Sequence, residues 1–65
     1  MNLNKYLVDN DIPDLELAQK LRFSVYAVKK WRYGERIPRL KTLIEIEDWS
    51  GGNVRPRDWL EDHGR

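Results

Sequence analysis

The chain has 65 residues, of which 40% are hydrophobic and 35% charged, with a net charge of +1 and no cysteine. That balance is too apolar for a disordered tail and too charged for a membrane protein, and it excludes a disulfide framework or a thiolate metal site. One small domain, residues 1–65, is left, with a core held by apolar packing alone and too little of it to spare, which favours a partner chain.

The opening MNLNKYLVDNDIPD carries charges within its first dozen residues and lacks the continuous apolar run of a signal peptide or membrane span, so the expectation is a soluble, cytoplasmic protein. Asn2 is a good N-cap, and Leu3, Tyr6 and Leu7 recur at helical spacing, predicting a helix over 3–9 closed by Asn10, Asp11 and Pro13. Asp14 then reads as the cap of a second helix, in which LELAQKL sets Leu17, Ala18 and Leu21 on one face. Ser24 caps a third, over about 24–33, with Val28 and Trp31 inward and Gly34 at its left-handed end. Only Arg22 and Phe23 separate the second helix from the third, and helices joined so tightly must cross steeply, as in a helix-turn-helix.

ERIP is a loop, with Ile37 as its anchor and Pro38 as a rigid start for the next segment. Leu40, Leu43, Ile44 and Ile46 predict a fourth helix that begins at Arg39 and is stopped by Ser50-Gly51-Gly52. Val54 tucks back, PRDWL forms a short last helix with Trp59 and Leu60 over the open end of the core, and EDHGR reads as a frayed tail. No stretch alternates long enough for a strand, beyond a brief pairing of GNVR with a partner chain, so the fold class is all-α: four to five short helices around a central helix-turn-helix.

Charge is segregated along this layout. Lys20, Arg22, Lys29, Lys30, Arg32, Arg36, Arg39 and Lys41 oppose only Glu35, so residues 20–41 carry +7 and the other 43 carry −6. A nearly neutral molecule with one basic side suits a polyanion held against that side.

Residues 14–34, DLELAQKLRFSVYAVKKWRYG, resemble the helix-turn-helix of the phage repressor and Cro family. Leu17 and Ala18 in the second helix, Leu21 before the turn, Ser24 opening the next, Val28 and Trp31 inward and Gly34 at the end carry the match. GERIP, an apolar helix and then IEDWSGGNVRPRDW are similar to the small Cro-like regulators of prophages, so the resemblance spans about residues 14–60. It implies a repressor in a bacterial cell or phage-infected host that occupies a double-stranded DNA operator and blocks polymerase. It also implies a homodimer, at least on DNA, because one recognition helix reads too few base pairs to be selective.

Helical spacing alone turns Val25, Tyr26, Lys29 and Lys30 outward, with Ser24 beside them, on the first two turns of the third helix, the part that approaches base edges when a helix enters the major groove. Lys29 or Lys30 can donate to guanine, Val25 can pack on a thymine methyl, and Tyr26 can bond a phosphate or cover a base edge. By the family resemblance, the loop after this helix approaches the DNA backbone, which assigns Arg36 and Arg39 to phosphates; Arg32 and Lys41 are weaker candidates, and Lys20 and Arg22 serve the long-range field. Two departures stand out. Arg22 occupies the turn position where the family usually has glycine, and Asp14 replaces the neutral polar residue often used there to bind phosphate, so it is read as a cap only.

Elsewhere structure is the better explanation. Trp31, Trp49 and Trp59 fill the core, the latter two with a share left for a dimer interface, and Glu45, Glu47 and Asp48 have no histidine or cysteine partner for a metal or acid–base site. His63 is the only histidine and falls in the tail. No pocket, nucleophile, cofactor box or metal set is visible, and the expectation is a non-enzyme without a cofactor. Two other readings stay open: an excisionase or resistance-regulator type of helix-turn-helix, whose second module is a wing of two strands, and an antitoxin or adaptor that binds a protein through Val25, Tyr26 and the tryptophans.

Overall fold

The structure, a computed structural model, describes the backbone of residues 1–63 and the side chains of residues 1–60. Among them it contains five helices and no strand: α1 Leu3–Asp9, α2 Asp14–Leu21, α3 Val25–Arg32, α4 Leu40–Trp49 and α5 Pro56–His63. The all-α expectation holds. None of these helices is long and apolar enough to cross a membrane.

Two of the expected caps are made. Asn2 Oδ1 accepts from the Lys5 N–H at 2.8 Å and Ser24 Oγ from the Ala27 N–H at 3.1 Å, satisfying backbone donors that have no partner inside the helix. The third is not: Pro13 is the N-cap of α2, and Asp14, the first helical residue, turns its carboxylate to Arg32 instead. A guanidinium within reach is a stronger partner for a carboxylate than an amide of its own helix.

Helices α1 to α4 end in one way. A residue with positive φ is followed by an amide that reaches back to a carbonyl five residues earlier, the arrangement that gives the last carbonyls of a helix their partners. Asp11, Arg22, Gly34 and Gly51 take the left-handed position, with the bonds Ile12 to Leu7, Phe23 to Ala18, Glu35 to Lys30 and Gly52 to Glu47, all of 2.8–2.9 Å. Two of the four ends therefore use glycine, one an aspartate and one an arginine.

Each helix lends the core residues spaced for one face. Leu3 and Leu7, Leu17 and Ala18, Val28 and Trp31, Leu43 and Ile46, and then Val54 with Trp59 form one buried cluster. Alanine at position 18 lets α2 and α3 approach closely, and α3 also touches α1. Ser50 closes the far side: buried, it donates to the Glu47 carbonyl and accepts from the Val54 N–H at 2.9 Å, which draws Val54 inward as expected. Trp49 is half-buried and meets Tyr6 edge to face at 5.5 Å.

Some assignments shift. Ile37 is 45% exposed and Pro38 is the buried residue of the ERIP loop, because the Glu35 and Arg36 amides both fold onto the Lys30 carbonyl and bring the chain inward one residue later. Leu40, Ile44 and Leu60 face outward, and the inward face of α4 is Thr42, Leu43 and Ile46. Helix α5 runs through His63, beyond PRDWL; of the expected frayed tail, residues 64 and 65 lie outside the described residues, as do the side chains of 61–63.

Candidate nucleic-acid interface

The geometry of α3 follows from which of its residues are taken by the core. Val28 is fully buried and Trp31 nearly so, which fixes the helix in rotation as well as position. Phe23 does not enter the core; it lies over Trp31 at the surface, edge to face with ring centres 4.9 Å apart, a pairing worth about 0.5–1.5 kcal/mol beyond its area. Opposite these anchors Tyr26 is 72% exposed and Lys29 is exposed, with Ser24 at the open end of the helix. Val25 is less free than expected. It stands one turn before Val28 and so shares part of its face, and it packs half-buried against the core with an edge left outside.

Lys30 is half-buried, with its ammonium 5.0 Å from the centre of the Tyr26 ring, a contact worth about 0.5–1 kcal/mol at an exposed site. The ring gives a flexible side chain a preferred direction, so less rotamer freedom is lost when Lys30 engages a ligand. The two line a shallow groove of about 290 Å³ with Phe23, Ser24, Ala27 and Arg36. Arg36 reaches it because its own amide is tied to the Lys30 carbonyl at 3.2 Å. Ser24 Oγ, engaged as an acceptor by the cap, keeps its O–H for a donor role.

Arg39 does not join this group. It lines a second, larger cleft with Lys20, Arg22 and Lys41, separated from the first by the Phe23 ring, which borders both. Lys41 is a weak candidate by sequence and Lys20 and Arg22 serve only the long-range field there, yet the three, from the start of one helix, the end of another and a turn, line one cleft. The readable signal was their sign; their meeting in space was not readable.

Arg32 is withdrawn from the interface altogether. Its guanidinium donates to Asp14 Oδ1 at 2.6 Å and, through Nε, to Asn4 Oδ1 at 2.8 Å, with both charged side chains mostly buried. One residue thus ties α1, α2 and α3 together and holds the helix-turn-helix rigid. Among the described residues no group of three or more acidic or histidine side chains is gathered as a metal site would require.

Fold and surface together define an all-helical helix-turn-helix module with basic side chains in two grooves on either side of Phe23. Comparison with protein-family models, curated proteins and solved structures finds no match.

Proposed function

We propose that this chain is a sequence-specific DNA-binding regulator, a Cro-like repressor that occupies an operator through α3 in the cytoplasm of a bacterial or phage-infected cell. The observation that carries the reading is the division of α3: two residues on the core lock it, while Tyr26 and Lys29 stand clear on its first two turns, with half-buried Lys30 against the Tyr26 ring and an edge of Val25 beside them. A helix presented in this way fits the major groove, where its leading residues meet base edges. Arg36, which lines the α3 groove, and Arg39, which lines the cleft beyond Phe23, are the proposed phosphate contacts, which set register and orientation without carrying sequence. Acting as a homodimer, two such helices read the half-sites of an inverted repeat.

The excisionase type of module is disfavoured by α4, because Leu40–Trp49 is helical where a two-stranded wing would follow. Capture by a protein partner is separated by a salt titration, since phosphate-driven association weakens with a log–log slope of about −0.9 per neutralised phosphate. Selection from a random duplex pool, followed by binding of the winners to variants, tests the assignment. Lys30→Ala is expected to relax preference at one base position by roughly 1–3 kcal/mol, whereas Arg36→Ala weakens binding to all sequences alike and reduces the salt slope by about 1. If neither variant changes operator binding while the fold stays intact, α3 is not the reader.

A further inference from the structure

The second cleft has a composition that the reading of α3 leaves unused. Lys20 from the last turn of α2, Arg22 from the turn, and Arg39 and Lys41 from the start of α4 surround an open volume of about 560 Å³, with Glu45 its single carboxylate. None of the four cations has an ion-pair partner among the described residues, where the pairs made are those of the Met1 ammonium, Lys5 and Arg32. Like charges held around one cleft repel, and an anion from outside the chain reverses the sign of that interaction.

Two more features point into the same place. The N-terminus of α4 has no side-chain cap and no acidic residue in its first turn, so its first amides keep their positive end of the dipole for a ligand. Thr42, only 3% exposed, also lines the cleft.

We propose that this cleft is a phosphate seat for the DNA backbone, formed by Lys20, Arg22, Arg39 and Lys41 and taking a phosphodiester of the duplex whose major groove receives α3. It rests on the DNA-binding reading and extends it. Because Phe23 borders both the cleft and the α3 groove, a backbone seated in the cleft runs directly beside the bases that α3 faces, and Arg36 holds the duplex from the other flank.

The test is a salt titration of the full chain on random-sequence duplex DNA, comparing wild type with Lys20→Ala/Lys41→Ala and with Lys5→Ala as the control. Lys5 is an exposed lysine engaged with Asp9 in α1, outside either groove. The double variant is expected to bind all sequences about tenfold more weakly at fixed salt, with a slope shallower by about 0.9 or more and an unchanged base preference, while Lys5→Ala matches wild type. A wild type whose binding is steeply salt-dependent, paired with a double variant of identical slope, overturns the cleft and leaves α3 standing. A wild type that binds no duplex overturns both. Thermal melts verify the fold, and the two single substitutions, both at exposed positions, give the slope separately if the double variant melts early.

Discussion

Replacing Arg22 by glycine should make this protein more stable and a poorer DNA binder. Arg22 ends α2 in the left-handed region, which costs an L residue about 1–2 kcal/mol relative to its preferred conformations. Glycine adopts that conformation freely but loses about 0.5–1 kcal/mol more chain entropy on folding. The Arg22 side chain is exposed and makes no hydrogen bond among the described residues, so little else is given up. The difference centres on about 0.75 kcal/mol, which in a domain of this size raises the melting temperature by about 3–6 °C. Arg22→Ala provides the contrast: it keeps the backbone conformation, removes the guanidinium, and leaves stability within about 0.5 kcal/mol of wild type. Calorimetric melts read the first effect and duplex-DNA titrations the second, where both variants should weaken to the same degree. A glycine variant that melts at or below wild type would show that the turn carries no strain. Unequal affinities for the two variants would place the effect in the backbone of the turn and not in its charge.

Arg32→Ala leaves the mostly buried Asp14 carboxylate and Asn4 without their partner and should cost about 3 kcal/mol, much of the stability a domain of this length possesses. Urea denaturation measures it, and Arg32→Met with Asp14→Leu should recover most of the loss, since removing both charges leaves neither one stranded; a double variant as unstable as the single one would refute that account. Ser24→Ala removes the cap of α3 and should lower stability by about 1 kcal/mol, whereas Ser24→Asp restores the melt yet weakens DNA binding by setting a carboxylate against phosphate. Equal DNA affinity for the aspartate variant and wild type would remove Ser24 from the interface.

The helices, their caps at Asn2 and Ser24 and the inward residues of α1 to α3 were legible in the chain because each depends on residues within a turn or two of one another, and the sign of the segment from Lys20 to Lys41 is read by counting; on α4 only Leu43 and Ile46 were read correctly as inward. Local signals decide local structure: spacing at three and four residues names a face, and a side-chain oxygen before a helix finds an amide of its first turn whatever lies beyond. The family resemblance marked position 22 as the place where glycine was missing without deciding the shape of the turn, and the turn takes the left-handed form with arginine in it. Partners set by packing were not legible. Asp14 looked like a cap until α3 brought Arg32 within 2.6 Å of it, and Ile37 looked like an anchor until two amides on one carbonyl made Pro38 the buried residue. Half-burial is likewise a property of the assembled core, which claims one side of Val25 and leaves its edge outside. The four cations of the second cleft come from three segments, and only the close crossing of α2 with α3 and the return of the chain into α4 brings them to one place. Local pattern is therefore enough for the helices and for the sign of the surface. Packing settles which charges are consumed within the fold, as Arg32 is, and which are left facing outward together, since that depends on distances no local pattern encodes.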